Sequence, residues 1–568
     1  MKTFEKSLLV ILIFLLGFWQ FGFPQHLSYS QLVADARQLS KTIENCHPDP
    51  YMNMQGKIGY HLTLDSLLSD LPPEGMEADD FWWVLSGFLA KIEDGHTFLF
   101  PLKYPDTSNP HGIPLYFSVL ADSSMVISKV CNAEHIPLIG SKVQKINGEP
   151  VDRLLEKVAS LYPMENLFDR FRNLRVYLWY SDYLERLLPG WSKGVPIEME
   201  LRDKSGNFLR VLMDTGGEMS YRIIEGGSSM LPLPDVKQCD FVFDWIGEGR
   251  DVGYLRLEKQ DEFKEYAEQA ISGLTYIQDD GVRAAYRNQY LTYAKIWYER
   301  YYGSSAPDSL ELIIEKLPSF ASFMQGVVTR MKEKKTKTLI IDLRNNRGGV
   351  SLMSEMLVYF LFGKEHLYNL HKDSYEVTFL SPLAIDAASS LKPELINESR
   401  GDAQRLPLQA GDYDFFSLKS WMERDQGNQS RILPDSNFES TTTFHSEYVS
   451  GKYAGYYCPE NIFVVGSSET FSAGFETLVK LVKSGAIFVG VPPAQSGNCF
   501  GMGVEPLQGL TNSGIRFQVS VKKIWTFPED KGKGYLLIPD IPTGYTQYRN
   551  HGCDPNTSIL MILDSIAH

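Results

Sequence analysis

Residues 461–484 combine three local patterns that together restrict the fold of the chain. The first part, 462–465, is a short apolar run rich in β-branched residues that ends at Gly466, which predicts a buried strand. After a polar turn, apolar side chains recur with the i, i+3, i+4, i+7 spacing of a helix that buries one face, at Phe475, Leu478, Val479 and Val482. A strand that leads through a turn into a helix is the repeating unit of a βαβ sheet.

Ser472 lies at the point where this strand gives way to the helix. One interpretation is that Ser472 only caps the helix, because serine is a favoured N-cap residue. The other is that Ser472 is a nucleophile, because the start of a helix offers backbone amides, notably that of Ala473, which can stabilise an oxyanion beside the hydroxyl. Residues elsewhere in the chain decide between these interpretations.

The length and charge of the chain exclude some classes of protein. With 568 residues the chain is too long for a single hydrophobic core, so about two to four domains are expected. Its 43% hydrophobic and 22% charged residues are typical of globular proteins. A net charge of −15 argues against nucleic acid or an anionic membrane surface as a partner.

Residues 1–25 have the pattern of a secretory signal peptide. Lys2 and Lys6 precede an apolar stretch that begins at Leu8, and no small-x-small cleavage site follows. The chain is therefore expected to be exported, to the periplasm or the extracellular space, and an uncleaved N-terminal anchor remains an alternative. No later apolar run is long enough to span a membrane, so no integral membrane domain is expected beyond this signal.

The six cysteines are widely scattered and form no CxxC pair, which argues against zinc-ribbon and thioredoxin-type sites. The sequence leaves their pairing open. The Cys46-His47 neighbours could suggest a cysteine peptidase, but adjacent residues rarely face each other and no further motif supports this alternative.

Helical spacing dominates residues 26–112, which we interpret as a helical N-terminal domain. The second helix ends in the turn sequence Asp94-Gly95-His96-Thr97, so His96 lies at another element boundary. A histidine in a turn is usually a surface residue, and Asp94 is either a turn former or a metal ligand, of which we favour the turn.

Residues 113–213 alternate short strands with helices and end in a hairpin, which predicts a β-rich domain. The segment at 140–151, GSKVQKINGEPV, resembles the signature of PDZ domains, which bind peptides by adding a strand to a sheet. Residues 214–247 are rich in Gly, Ser and Pro and are interpreted as a linker.

Strands alternate with helices over 248–568, which predicts a βαβ sheet with functional loops at the strand ends. The strand in TLIIDLRNNRGG runs into Gly348-Gly349, where two glycines indicate close backbone approach or positive φ. Neither phosphate-binding glycine motif is present. Two insertions are expected, a helical one at 262–317 and an irregular lid at 373–458.

Together, TLIIDLRNNRGG, the Ser-Ala step after VVGSSETF, the PDZ-like unit and the late Ile-Pro-Asp-Ile resemble the tail-specific, or C-terminal-processing, serine peptidases. The resemblance implies an α/β multidomain fold with a helical N-terminal domain, a PDZ-like β-rich domain and a βαβ catalytic domain of tail-specific peptidase type. It also implies that Ser472 is the nucleophile and that the amides of Ala473 and Gly348 form the oxyanion hole.

The general base depends on the branch of the family. The bacterial tail-specific branch uses a lysine in the loop after the next strand, and here that loop, 494–501, contains none. Lys480 and Lys483 lie on the helix of the nucleophile and are expected to face solvent. The tricorn-like branch uses an upstream histidine, often within Asp-Gly-His-Thr, which matches His96. The acidic residue that orients this histidine is left open between Glu529, Asp530 and Asp540.

The resemblance predicts a secreted or periplasmic serine peptidase that acts on polypeptides, with His96 accepting the proton of Ser472. No metal or organic cofactor is expected, since the sequence contains no HExxH motif and no paired Cys/His cluster. The alternative is a catalytically inactive protein that binds peptides or apolar ligands on the same scaffold, as relatives resembling the interphotoreceptor retinoid-binding protein do.

Overall fold

The computed structural model describes residues 26–566 apart from short gaps. These gaps lie at 104–110, 216–223, 226–230, 237–239, 276–279, 371–373, 388–390, 401–406, 418–443, 445, 448–449, 454, 507 and 529–530. The predicted signal peptide, 1–25, is outside the described residues. None of the helices in the described part combines the length and apolar character needed to span a bilayer.

The chain divides into two compact units. The first comprises Met1–Ser228, Ser374–Ser417 and Ser496–Leu536, and the second comprises Ser229–Asp373, Leu418–Gln495 and Leu537–His568. Mixed helices and sheets in both units give the multidomain α/β class that the sequence predicts.

The N-terminal part of the first unit is helical, with helices Tyr29–Cys46, Gly56–Asp70 and Ala78–Ala90. The buried apolar residues of the first helix recur every three or four positions, so they lie on one face. They pack with residues of the other two helices and with Phe517 and Val519 into one core. Short strands His26–Leu27 and Met76–Glu77 pair antiparallel beside them.

A seven-stranded antiparallel sheet follows in the first unit. Its main path runs in the order Ile224–Glu225, Met125–Val130, Lys142–Ile146, Ile197–Arg202 and Phe208–Met213, with Leu115–Val119 and Glu149–Pro150 pairing from the side. The helical segments of this region are Ala133–Leu138 (3₁₀), Val151–Leu161, Leu167–Trp179 and Ser181–Leu187. Strands and helices thus alternate as the pattern of this segment predicts.

A five-stranded antiparallel sheet completes the first unit and draws on distant parts of the chain. It contains Phe98–Leu99, Tyr375–Phe379, Tyr413–Ser417, Cys499–Val504 and Phe517–Trp525. Two of these strands lie within 373–458, the segment interpreted as an irregular lid. Short helices Pro382–Ala387 and Pro393–Arg400 lie there too.

The second unit is built on a six-stranded sheet. Its order is Phe241–Ile246, Val252–Leu257, Thr338–Asp342, Asn461–Gly466, Ile487–Gly490 and Ile541–Pro542, and all neighbours after the first pair are parallel. This is the βαβ sheet predicted from the apolar runs. The segment interpreted as a linker, 214–247, ends in strand Phe241–Ile246. This strand pairs antiparallel with the next strand, Val252–Leu257, as a hairpin.

Helices of the second unit connect and cover these strands. They are Lys264–Leu274, Asp280–Tyr302, Leu310–Lys316, Phe320–Lys334, Leu352–Phe362, Lys364–Leu370, Ala473–Lys483, Tyr545–Asn550 and Thr557–Ile566. The first three fall within the predicted helical insertion. Strands within 374–417 and 496–536 belong to the five-stranded sheet of the first unit.

Candidate active site

Ser472 has a strained backbone at the start of helix Ala473–Lys483. Its φ of 53° and ψ of −130° lie in a region that residues other than glycine rarely adopt. The Ser472 N–H donates to the Oε1 of Gln495, which helps to hold this conformation. Although Ser472 occupies the N-cap position, its side chain makes no capping hydrogen bond to the described helix. A sharp strand-to-helix turn of this kind exposes a nucleophilic hydroxyl, as in the nucleophile elbow.

The glycine turn lies against Ser472. Gly348 has a φ of +103°, and a Cβ on this residue would come within 2.6 Å of the Ser472 Cβ and 2.9 Å of the Ala473 nitrogen. Gly349 has a φ of +136°, and its Cβ would lie 2.5 Å from the carbonyl carbon of Gln260. Both glycines are required for close approach, as the sequence predicts.

The amides around Ser472 differ in their partners. The Gly474 N–H donates to Phe471 O and the Glu476 N–H to Ser472 O, both at 3.0 Å. The Ala473 N–H donates to no described residue, so it can donate to a bound oxyanion. The Gly348 N–H, which the sequence also assigned to the oxyanion hole, donates to the Asn346 side chain at 3.0 Å. Gly348 can therefore donate to an oxyanion only if its N–H also keeps Asn346 as a second acceptor or breaks its hydrogen bond to Asn346.

His96 belongs to the first unit, where its backbone is held on both sides. The His96 N–H donates to Asp94 Oδ1 at 2.9 Å, and the Gln518 side-chain amide donates to His96 O at 3.0 Å. The Thr97 hydroxyl donates to Asp94 Oδ2 at 2.5 Å and accepts from the Ser520 N–H at 3.0 Å. Asp94 thus forms the turn, as expected, and the turn fixes His96.

Asp94 also binds a second histidine that sequence reasoning did not assign. His47 is buried, and its Nδ1 accepts from the Asp49 N–H at 3.1 Å, so Nε2 carries the proton that it donates to Asp94 Oδ2. Burial by itself would raise the pKa of Asp94, but the hydrogen bond from His47 and the charges nearby lower this pKa to about 2. Asp94 is therefore a carboxylate at neutral pH.

Cys46 and His47 do not form a catalytic pair. Cys46 is buried and accepts a hydrogen bond from the Ser381 hydroxyl, while His47 is directed to Asp94. Burial raises the pKa of the Cys46 thiol to about 11, so the thiolate is not formed at neutral pH. None of the described cysteines, 46, 131, 458, 499 and 553, forms a disulfide with another of them.

Glu165 is the acidic partner of His96, and sequence reasoning missed it. Glu165 Oε1 lies 3.6 Å from His96 Nδ1, an ion-pair distance, and the Glu165 side chain is 2% exposed. Its other oxygen accepts from the Ser496 N–H at 2.9 Å. Glu165 precedes a helix N-cap within no recognisable motif, so the sequence carried no signal for it.

Of the three acidic residues that the sequence suggested as partners of His96, the structure describes one. Asp540 belongs to the second unit, where its Oδ2 accepts from the Phe488 N–H at 2.9 Å and so holds strand Ile487–Gly490. This gives Asp540 a structural role. Glu529 and Asp530 lie outside the described residues.

The surroundings of His96 tune its basicity. Burial lowers the pKa of His96, whereas Glu165 and the charge of Asp94 raise it, and the net result is a pKa above the usual value of 6.5. Burial also raises the pKa of Glu165, and the His96 imidazole opposes that shift. The Glu165 carboxylate thus stabilises the protonated form of the His96 imidazole.

Replacing Glu165 with glutamine is expected to move the acidic limb of the pH–kcat/KM profile to lower pH. The resemblance assigns the general base to His96, and a base must be neutral, so the wild-type rate is expected to rise with pH through the raised pKa of His96. Without the Glu165 charge, burial dominates and this pKa falls. Glu156→Gln, at an exposed pair with Arg153, should leave the limb in place. An unshifted limb in Glu165→Gln would contradict the pairing.

Two groups of acidic residues have the spacing of metal ligands. Oxygens or a nitrogen from Asp94, His96 and Glu165 lie within 4.8 Å of one another. Both Asp94 oxygens already accept protein hydrogen bonds, which explains this group without a metal. In the second group, which comprises Asp240, Asp261 and Glu262, Asp240 pairs with Arg300 and Glu262 pairs with Lys259, each at 3.0 Å.

Lys480 is buried, and the expectation that it faces solvent is wrong. It lies on the inner face of helix Ala473–Lys483, where its Nζ donates to Ser354 Oγ at 2.9 Å and pairs with Glu355 and Glu476. These carboxylates raise the pKa of Lys480, against the effect of burial, so it stays charged and cannot act as a base. The buried carboxylate of Glu355 lies in the first turn of another helix, Leu352–Phe362, and local sequence gave no sign of this contact.

Lys480→Ala is expected to destabilise the protein by about 3–5 kcal/mol, because it leaves Glu355 buried without its cation. Lys483→Ala removes the same charge from the same helix at a half-buried position and should cost about 0.5 kcal/mol or less. Urea denaturation of both variants measures the difference. Equal losses would show that the buried pair contributes nothing.

The structure brings Ser472, Ala473 and Gly348 together in the second unit and His96, Asp94 and Glu165 in the first. A strained serine, a glycine turn and a helix amide at the ends of parallel strands are the parts that a serine-type hydrolytic site in an α/β protein requires. Residues 314–543, less than half of the chain, match peptidase family S41. This match confirms the resemblance to tail-specific serine peptidases that the motifs indicate, and it supports a serine-type peptidase.

The chain is similar to several solved structures, and the first named here has a similar fold. Mature CPAF complexed with lactacystin is 13% identical, with 94% of this chain and 99% of that chain covered and a TM-score of 0.51. The photosystem II D1 C-terminal processing protease is 12% identical over 91% and 93%, with a TM-score of 0.34. A putative S41 protease from Bacteroides fragilis is 11% identical over 93% and 97%, with a TM-score of 0.34. No curated protein matches the chain significantly.

Proposed function

We propose that the protein is an exported serine peptidase in which Ser472 attacks the peptide carbonyl and His96 acts as general base. The observation that carries the proposal is the strained Ser472 turn packed against Gly348, with the Ala473 N–H beside it. Capping does not explain the strain, since the Ser472 side chain makes no capping hydrogen bond to the described helix, whereas presentation of the hydroxyl to a substrate does.

His96 suits the role of the base. Glu165 and Asp94 hold its backbone and ring and stabilise the imidazolium that forms when it takes the Ser472 proton. The same proton then goes to the leaving amine.

The oxyanion of the tetrahedral intermediate is stabilised by two backbone amides. The Ala473 N–H is one, since it donates to no described residue and lies at the positive end of a helix. The glycine turn supplies the second, from Gly348 once Asn346 yields its hydrogen bond. No metal or cofactor takes part in these steps.

The finer organisation is part of the same proposal. Residues 113–213, with their antiparallel sheet and intervening helices, act as a PDZ-like module beside a helical N-terminal domain, 26–112. Residues 1–25 direct export to the periplasm or the extracellular space. The substrate is a polypeptide, as the family implies.

The alternative of a catalytically inactive binding protein is favoured by one observation. The Gly348 N–H is engaged by Asn346, so one of the two proposed oxyanion donors is occupied in this structure. In an inactive protein the hydrogen bond between Gly348 and Asn346 can stay in place. In a peptidase it must break when substrate binds, or the Gly348 N–H must donate to Asn346 and to the oxyanion together.

Labelling with a fluorophosphonate separates the two functions. A peptidase should form one adduct, mapped by mass spectrometry to Ser472 and absent from Ser472→Ala. Ser484→Ala, the same change at the other end of the helix, should label as the wild type does. A wild-type protein that stays unlabelled while folded would favour the binding protein.

A further inference from the structure

Gln260 contacts the glycine turn through its backbone. Its N–H donates to Gly348 O at 3.0 Å, and its carbonyl accepts from the Val350 N–H at 2.8 Å. These two bonds flank Gly349, whose backbone is too close to Gln260 to admit a side chain. Gln260, which lies three residues after the end of strand Val252–Leu257, therefore fixes one side of the glycine turn.

The side chain of the same residue contacts the helix that begins after Ser472. Gln260 Nε2 donates to Thr477 Oγ1 at 2.7 Å and to Ala473 O at 3.2 Å, and the Thr477 hydroxyl also donates to Ala473 O, at 2.8 Å. Because a carbonyl oxygen only accepts, the contact with Ala473 O sets the orientation of the Gln260 amide. Gln260 is 0% exposed, so water does not compete for these bonds.

We propose that Gln260 is a positioning residue for catalysis, which fixes the glycine turn relative to Ala473 and so sets the spacing of the oxyanion donors. This rests on the proposed function, since it concerns the same amides. Oxyanion donors act only when they lie within about 2.7–3.1 Å of the developing charge. A residue that binds the turn and the helix start together is the direct means of keeping that spacing.

A contribution to folding stability does not by itself explain why a glutamine occupies position 260. Its Oε1 is buried and accepts no hydrogen bond from a described residue. A buried acceptor without a donor costs stability, whereas an apolar side chain of the same length would not incur this cost. Gln260→Met therefore removes the contacts with the helix while keeping the volume of the side chain.

The test compares steady-state kinetics of the full chain. Gln260→Met should lower kcat by about 10- to 100-fold, because a displacement near 1 Å has an effect of this size. KM should stay within about twofold, since the contacts act on the transition state. Thr477→Val should lower kcat in the same way and Thr477→Ser, which keeps the hydroxyl, should restore it. Gln325→Met removes a similar Gln–Thr pair, with Thr329, on helix Phe320–Lys334 and should leave kcat unchanged.

The outcomes distinguish this inference from the proposed function. If Ser472→Ala keeps full activity, both fail. If Ser472→Ala is inactive while Gln260→Met keeps the wild-type kcat, only the role of Gln260 fails. It also fails if the loss in Gln260→Met equals its loss of folded protein by circular dichroism, or if Thr477→Ser is as slow as Thr477→Val.

Discussion

His96→Ala should lower kcat/KM for peptide hydrolysis by at least about 10⁴-fold, because the serine hydroxyl then has no base to accept its proton. The backbone of the turn should survive the change. Asp94 binds the His96 N–H and Gln518 binds its carbonyl, and neither contact uses the imidazole. The loss should therefore appear in kcat with little change in thermal stability.

His61→Ala is the matched control for this variant. His61 lies in the same unit and also contacts a glutamate, Glu44, at 3.0 Å, but its side chain is 44% exposed. Its activity should equal that of the wild type. A His96→Ala protein that is folded and retains activity within about tenfold of the wild type would contradict the assignment of His96 as base.

Sequence patterns predicted those parts of the structure that depend on local order. The central parallel strands of the second unit contain short apolar runs such as 462–465, because both faces of such strands are buried. The helix after Ser472 followed from its apolar spacing. The glycine turn followed from the need of Gly348 and Gly349 for positive φ.

Parts that depend on pairing between distant residues could not be predicted. Strands Tyr375–Phe379 and Tyr413–Ser417 lie in a segment of mixed composition and are defined by their partners across the sheet. Glu165 approaches His96 from a turn 69 positions further along the chain, and a lone acid in a turn has no periodicity to reveal it. Single side chains of this kind are fixed by tertiary contacts alone.

The same distinction explains the error at Lys480. A lysine in a helix is almost always exposed, since burial of an unpaired charge is unfavourable. Here the cost is offset by Glu355, which comes from another helix, and by Glu476 one turn earlier. Of these two partners only Glu476 is close to Lys480 in sequence, and Glu476 alone does not indicate which face of the helix is buried.

Gly348→Ala should lower kcat/KM by about 10³-fold, the effect of losing one oxyanion donor or more. The new methyl group would lie 2.6 Å from Ser472 Cβ and 2.9 Å from the Ala473 nitrogen, so Ser472 and the Ala473 amide must move away from it. The φ of +103° adds strain of about 1–2 kcal/mol. Peptide hydrolysis and thermal unfolding, measured on the same preparation, separate the two effects.

Gly485→Ala isolates the contribution of strain. Gly485 follows the same helix with a φ of +91°, and a Cβ there would meet no atom within 4 Å. This variant should lose about 1–2 kcal/mol of stability and keep its activity. If Gly348→Ala also kept its activity, the glycine turn would have no part in the site. If both variants lost activity equally, strain rather than contact with Ser472 would be the cause.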